Sequence, residues 1–180
     1  VLPSAGEAGV LCDGGVEAER GQWFVLRTRS RQEKALARDL AARRIGHFLP
    51  LTRVVRYYGR RKAVVMEPLF PGYLFLRGEV EDAYAADRTG RVAQVLVAPD
   101  QERLREELAQ IRLALSRGAP LRGCERIERG VLVEVASGPF RGIRGIVAET
   151  VKDDRLVLNV ELIARAAQLE IDRTLLRPVE

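Results

Sequence analysis

The sequence is poor in the side chains that carry out reactions. Its one histidine is His47, and its two cysteines, Cys12 and Cys124, lie far apart and outside any metal-ligand spacing. A zinc site, a histidine-based triad or a histidine acid–base pair has almost nothing to be built from. Two isolated cysteines read as free thiols rather than as a disulfide framework. No catalytic constellation, metal or cofactor is expected, and the chain reads as a non-enzyme. The chemistry left to it is binding.

Three groups of residues could do that. The first is basic. The net charge of +5 is unevenly spread, with −3 over residues 1–20, +9 over 21–126 and −1 over 127–180. Between Arg27 and Lys62, 12 bases face two acids. Such asymmetry suggests that one half approaches nucleic acid while the other does something else, although charged faces are often only solvated. The second group is the aromatic run Glu67-Pro-Leu-Phe-Pro-Gly-Tyr-Leu-Phe-Leu76. In a strand, Tyr73 and Phe75 share one face and Leu74 and Leu76 the other. If the leucines pack under helices, an aromatic face is left over as a protein-docking surface. The third is the turn Ser137-Gly-Pro-Phe-Arg-Gly-Ile-Arg-Gly-Ile-Val147. Gly138, Gly142 and Gly145 allow backbone angles that a Cβ resists, so the chain can double back tightly with Phe140 pushed outward at its tip.

The elements that must position these groups follow from periodicity. Residues 1–20 hold four glycines and no sustained pattern, and read as a flexible leader. Trp23-Phe-Val-Leu-Arg27 reads as a buried strand. Ser30 and Glu33 form a capping box opening a helix, Leu36, Ala37, Leu40 and Ala41 are its apolar stripe, and Gly46 stops it. Phe48 to Tyr58 and Ala63 to Met66 make a hairpin with a basic tip at Gly59-Arg-Arg61. Tyr73 to Leu76 is a strand, Val80 to Asp87 a short helix and Val92 to Val97 another strand. Asp100 opens a longer helix with its apolar face at Leu104, Leu108, Ile111 and Leu115, closed by Gly118 and Pro120. This order implies an α+β domain over residues 21–118, an antiparallel sheet with packed helices.

The composition turns polar next, and a linker is placed at 119–128. Over 129–180, Val131, Val133 and Val135 alternate, Ile146 to Ala148 and Leu156 to Val160 give further strands with a turn at Asp153-Asp154, and Leu169 and Ile171 a fourth. Short strands with tight turns predict a small closed β-barrel. No stretch approaches the ~20 apolar residues of a membrane-spanning helix, and residues 1–20 do not read as a secretory signal. A cytoplasmic protein that does not engage membrane is expected.

Two of these segments carry a resemblance. The glycine turn at 137–147 closely resembles a KOW motif, the element of SH3-like domains found in ribosomal proteins and in NusG-type factors. The segment 67–76, at its distance after Trp23-Phe-Val-Leu, looks like the signature of the NusG N-terminal (NGN) domain. Together they cover residues 23 to 180 and point to a NusG-type transcription elongation and antitermination factor: an NGN domain followed by an SH3-like KOW barrel.

The resemblance implies partners and sites. Phe70, Pro71, Tyr73 and Phe75 match the hydrophobic patch that binds the clamp helices of the largest RNA polymerase subunit. The N-terminal domain is implied to lie near upstream or non-template DNA, where Arg29, Arg31, Arg60, Arg61 and Lys62 would make sequence-independent phosphate contacts. The KOW turn and facing strand, Gly138, Phe140, Gly142, Ile143, Gly145, Leu162 and Ile163, match the surface that recruits Rho or a small-subunit ribosomal protein; alternation lets only one of Leu162 and Ile163 point outward. Glu67-Pro68 before Leu-Phe-Pro-Gly resembles RfaH-like specialised paralogues. At the positions with which RfaH reads a DNA hairpin this chain has Asp82, Ala83 and Tyr84, so that specificity is not carried over. The glycine turn and valine-rich strands favour a β-barrel over RfaH's helical C-terminal hairpin. A monomer is expected. A housekeeping NusG and an RNA-binding, ribosome-associated KOW protein are the alternatives.

Overall fold

The computed structural model describes residues 10–11, 21–126, 128–147 and 155–179. These fall into two compact units, one within residues 9–102 and the other within 103–180.

The first unit runs β1 (Val10–Leu11), β2 (Gln22–Thr28), α1 (Glu33–Ala42), β3 (Gly46–Tyr58), β4 (Arg61–Pro68), β5 (Tyr73–Gly78), α2 (Val80–Asp87) and β6 (Val92–Val97). The sheet order is β1-β3-β5-β2-β6, with β4 paired to the far end of β3, and every pairing is antiparallel. The expected succession of strands and helices from Trp23 onward is present. Within the expected leader, Val10 and Leu11 pair with Pro50 and Leu49; the rest of residues 1–20 lies outside the described residues.

One sheet face packs Phe24, Leu26, Leu49, Leu51, Leu74 and Leu76 against Leu36, Ala37 and Leu40 of α1 and Ala83 and Ala86 of α2. Burying each large aliphatic side chain contributes about 1.5–3 kcal/mol, and this one layer holds seven leucines. On the other face, Val25, Phe48 and Phe75 are aligned by register and fully buried.

Two local signals work otherwise than expected. Helix α1 starts at Glu33 itself behind Gln32, without a side-chain cap; the Ser30/Glu33 box is not formed because the Glu33 carboxylate is used elsewhere. The left-handed residue after α1 is Arg44, at φ 58°. Gly46 lies instead at the start of β3, where a Cβ would stand 2.8 Å from the Arg77 carbonyl oxygen. Close strand approach, rather than helix termination, is what requires glycine there.

All but the first two residues of α3 (Gln101–Ser116) belong to the second unit, which continues with β7 (Arg122–Glu125), β8 (Val131–Val135), β9 (Arg144–Val147), β10 (Arg155–Val160), β11 (Arg165–Glu170) and β12 (Leu176–Pro178). Its sheet order is β12-β8-β9-β10-β11-β7. Central β10 buries Leu156, Val157 and Leu158 in succession, as a strand covered on both faces does. Among the described residues after Leu121 the regular structure is strands with two short 3-10 turns, Glu161–Ile163 and Arg173–Leu175.

Three expectations change here. The ladder is open among the described residues, with β12 and β7 at its ends, so the closed barrel gives way to an open antiparallel sheet. Within the expected linker, Arg122–Glu125 pairs with Arg165–Gln168 as an edge strand, its polar side chains suiting an exposed edge. The units also divide earlier than a boundary at 118. Gln110 Oε1 of α3 accepts the Arg144 N–H at 2.9 Å, and Glu107 accepts the Glu161 N–H with both oxygens, at 3.2 and 3.3 Å. The Asp153-Asp154 turn lies outside the described residues.

Candidate protein-docking turns and basic ribbon

The segment 69–73 crosses from β4 to β5 through a turn whose geometry its residues dictate. Gly72 sits at φ 85°, a left-handed conformation that costs a side chain about 1–2 kcal/mol. The Tyr73 N–H donates to the Phe70 carbonyl at 3.1 Å, and the Gly72 carbonyl accepts from the Thr28 N–H at 2.8 Å. The remaining donor, the Gly72 N–H, meets Glu33 Oε1 at 2.7 Å. Glu33 is 7% exposed. A buried carboxylate is costly unless it accepts hydrogen bonds, and this one is spent on bracing the turn.

The four residues expected to dock are divided by the structure. Pro71 is exposed and Tyr73 half-buried, whereas Phe70 is 2% exposed and Phe75 0%. Phe70 meets Phe75 edge-on at 6.2 Å, and Phe48 lies 6.2 Å from Phe75 on another side, distances typical of stabilising aromatic pairs. Tyr73 and Phe75 do share a face, but it is covered at Phe75 and open only in part at Tyr73. The expected exposed aromatic patch is corrected on this point, because alternation reveals which residues face together and not whether the face is open.

Glu67, one of the residues suggesting a specialised branch, has a structural task. Its carboxylate takes Nε and Nη2 of Arg56 at 2.9 and 3.0 Å across the base of the β3–β4 ribbon. At the α2 positions, Asp82 accepts the Glu79 N–H at 2.9 Å and caps the helix, Ala83 is buried, and Tyr84 is 61% exposed.

The basic residues are all exposed. Arg29 and Arg31 lie in the loop before α1, and Arg60, Arg61 and Lys62 at the β3–β4 tip. The two groups sit on separate elements. The tip is a two-residue turn, Gly59 and Arg60, between paired Tyr58 and Arg61. Sequence reasoning passed over Val55, Tyr57, Tyr58 and Val64 on the same ribbon, which are 45%, 71%, 66% and 51% exposed. Treating the hairpin as an ordinary sheet strand hid them. Beyond Leu51, β4 is the ribbon's only strand partner among the described residues.

In the second unit, Gly138 and Gly142 have φ of 82° and 86°. Gly145 serves differently: its Cβ would stand 2.6 Å from the Val157 carbonyl oxygen. Phe140 is half-buried rather than pushed fully outward. Ile143 is 0% and Ile163 6% exposed, so both belong to the core, and Leu162 is half-buried. The reason is local: 161–163 is a 3-10 turn, where strand alternation does not apply. Across the base of the turn, Glu134 accepts from Arg144 Nε at 2.8 Å and Arg177 Nη2 at 2.7 Å. These bonds hold its carboxyl below the usual range, Arg144 being the larger influence.

Residues 21–112, just over half of the chain, match the family model NusG, described as transcription termination factor nusG. The chain belongs to the NusG family. A comparison with curated proteins gives no match. The family is one of transcription factors, not enzymes, and the matched span holds the Glu33-braced turn and the whole basic ribbon. In this NusG-family chain, His47 is a buried structural residue whose Nδ1–H donates to the Ile45 carbonyl at 2.9 Å. Among the described residues, no helix is long and apolar enough to cross a membrane.

Proposed function

We propose that this chain is a transcription elongation and antitermination factor that docks on the clamp helices of the largest RNA polymerase subunit through its N-terminal unit. The observation carrying this reading is the NusG match over residues 21–112, which contains the turn at Pro71 and Tyr73. That turn is held by Glu33 and Thr28 at fixed geometry, which lowers the ordering cost of binding. Pro71 and Tyr73 make the contact, while Phe70 and Phe75 shape it from within. A ligand shifts an equilibrium only by its preference for one state; by preferring the closed clamp, the factor suppresses pausing. Exposed Arg29, Arg31, Arg60, Arg61 and Lys62 add phosphate contacts to upstream or non-template DNA.

The C-terminal unit acts as an SH3-like KOW module that recruits Rho or a small-subunit ribosomal protein. Phe140 and Leu162, the two large apolar residues of that set which keep some exposure, supply its contact. Glu67-Pro68 supports an operon-specific paralogue. With Asp82 occupied in capping and Ala83 buried, recruitment by α2 reading a DNA hairpin lacks support. The factor works as a cytoplasmic monomer.

The test is retention of the full chain on immobilised RNA polymerase. Tyr73→Ala, combined with Pro71→Ala, is expected to weaken retention at least tenfold while the protein stays folded. Retention equal to wild type would sink the docking assignment.

A further inference from the structure

Strand β6 ends the sheet of the first unit, and its outer edge pairs with no other strand among the described residues. Such edges are ordinarily blunted by charge, proline or a bulge, because their free N–H and C=O groups recruit other chains. The sequence of β6, Val-Ala-Gln-Val-Leu-Val, has neither charge nor proline. Its one irregularity, opposite Arg27 and Thr28 of β2, lies at the Val92 end and leaves Gln94 to Val97 in register.

Along this edge, between α2 and β6, runs a groove of about 470 Å³, within the roughly 300–1,000 Å³ of clefts that hold ligands. Its walls follow from two periodicities. Val80, Tyr84 and Asp87 fall on one stripe of α2, and Ala93, Val95 and Val97 on one face of β6. Tyr84, Val97 and Val80 are 61%, 58% and 41% exposed, whereas Phe24 and Ala83, also lining the groove, are buried.

The groove has a direction. Gln22 pairs with Gly78 and Phe24 with Val97, so Val80 lies at the Val97 end. Only residues 88–91 separate Asp87 from Val92, which puts Asp87 at the other end. Residues 79–87 hold four acids and no base. Glu79 and Asp82 are used in the capping box of α2. Glu81 and Asp87 are exposed and, among the described residues, in no ion pair. An acid in the last turn of a helix opposes the macrodipole, so Asp87 does not serve α2 itself. This rim repels nucleic acid and favours a cation. The unpaired edge favours an extended backbone, and the open valines and tyrosine favour apolar side chains at alternate positions.

We propose that the α2–β6 groove binds an extended peptide of a protein partner, added to β6 as an antiparallel strand. Alternate apolar side chains of the peptide fill the groove, and a lysine or arginine beyond them meets Asp87. Every pairing in this sheet is antiparallel, and an antiparallel addition runs from Val97 toward Val92. The basic residue therefore stands C-terminal to the apolar ones. Backbone pairing supplies affinity in this mode, and the side-chain groove supplies specificity. The site is separate from the turn at 69–73 and goes beyond the clamp docking proposed above.

Titration of the isotope-labelled full chain with acetyl-Thr-Val-Thr-Val-Thr-Lys-Thr-amide, followed by amide NMR, tests it. The comparison peptide is acetyl-Thr-Lys-Thr-Val-Thr-Val-Thr-amide, of the same composition in reverse order. The first is expected to shift the amides of Ala93 to Val97 saturably, and the second to bind about fivefold more weakly. Tyr84→Ser, a surface change that leaves the fold intact, is expected to weaken binding about tenfold. Asp87→Lys should invert the charge preference, so that a peptide with glutamate in place of lysine binds about fivefold better than the original. Absence of saturable shifts in β6, equal affinity for the two orders, or wild-type binding by Tyr84→Ser would each overturn the proposal. Shifts of the same amides with protein concentration alone would also overturn it, making the occupant a second copy of the chain. So would tighter binding there of a 12-nucleotide oligo-dT, which would assign the groove to nucleic acid. The titration contains no polymerase, so its failure leaves clamp docking standing, and failure of the polymerase-retention test leaves the groove standing.

Discussion

The two glycine-bearing turns, 69–73 and 136–143, stand out equally in the sequence, yet they are held in different ways. The second is braced by backbone. The Val135 N–H donates to the Ile143 carbonyl, the Gly142 N–H to Val135 and the Ala136 N–H to Leu175, all within 2.9 Å. The first has backbone bonds too, Tyr73 N–H to Phe70 and Thr28 N–H to Gly72, but adds one side chain 39 residues earlier, the Glu33 carboxylate on the Gly72 N–H. Their aromatic residues differ as well: Phe70 is buried against Phe75, whereas Phe140 is half-exposed. A recognisable signature is therefore as much a record of what builds a turn as of what the turn touches. In the first turn most of the signature is scaffold, and only Pro71 and Tyr73 reach the surface.

The sharpest break of that comparison is at the two phenylalanines. Phe70→Ala should destabilise the first unit by about 3–5 kcal/mol, the usual cost of emptying a packed aromatic site. Phe140→Ala should cost the second unit about 1 kcal/mol. Urea unfolding followed by fluorescence of Trp23, the sole tryptophan, reads the first unit. Amide exchange in β10 reads the second. Equal costs would erase the distinction between scaffold and contact.

The brace ranks next. Glu33→Ala leaves the Gly72 donor without its partner and should cost about 1–3 kcal/mol. Glu33→Gln, which keeps an acceptor oxygen, should recover most of that. Hydrogen exchange at the Gly72 amide should accelerate in Glu33→Ala and stay slow in Glu33→Gln. A Gly72 amide protected equally in all three proteins would remove the side-chain brace from the account.

These contrasts show which parts of the molecule were readable beforehand. Strands β2 and β5 and helices α1 to α3 were legible because their apolar periodicity is strong and local. Gly138 and Gly142 were legible because a left-handed turn leaves few residue choices. Glu33 was misread as a cap because Ser30 stands at the right local spacing, while its true partner, Gly72, is distant in sequence. Gly46 was misread for the same reason, its neighbour being the Arg77 carbonyl of another strand. The candidate sites were legible as segments but not residue by residue: burial of Phe75 and Ile143 depends on whether a second layer covers their face. The docking role proposed for 67–76 came from resemblance, and the exposed strip of the ribbon came only from the pairing register.

The smallest expected effect concerns charge, and it divides the second unit from within. Glu134, flanking the glycine turn, has its carboxyl lowered by the guanidiniums of Arg144 and Arg177. Its contribution is fully present above the unfolded-chain glutamate range and is lost as pH falls through the depressed folded value. Glu107 on α3 has the opposite sign. Burial raises its carboxyl, outweighing the Glu161 N–H and Arg103, which lower it. The folded unit therefore takes up that proton more readily, and stability rises as pH drops from the raised value toward the ordinary one. The thermal midpoint of the second unit, followed by amide exchange in β8 and β10, should rise slightly on mild acidification and then fall at lower pH. Glu134→Gln should reduce the low-pH fall, leaving the part due to Asp172, whose carboxyl is lowered by the bonds it accepts from Thr174, and Glu107→Gln should remove the rise above it. Because Arg144 and Arg177 are 56% and 64% exposed, added salt should shrink the Glu134 effect more than the burial-driven Glu107 effect. A salt response of the reverse order would mean that the Glu134 pair, and not the backbone bracing, holds the base of the second turn.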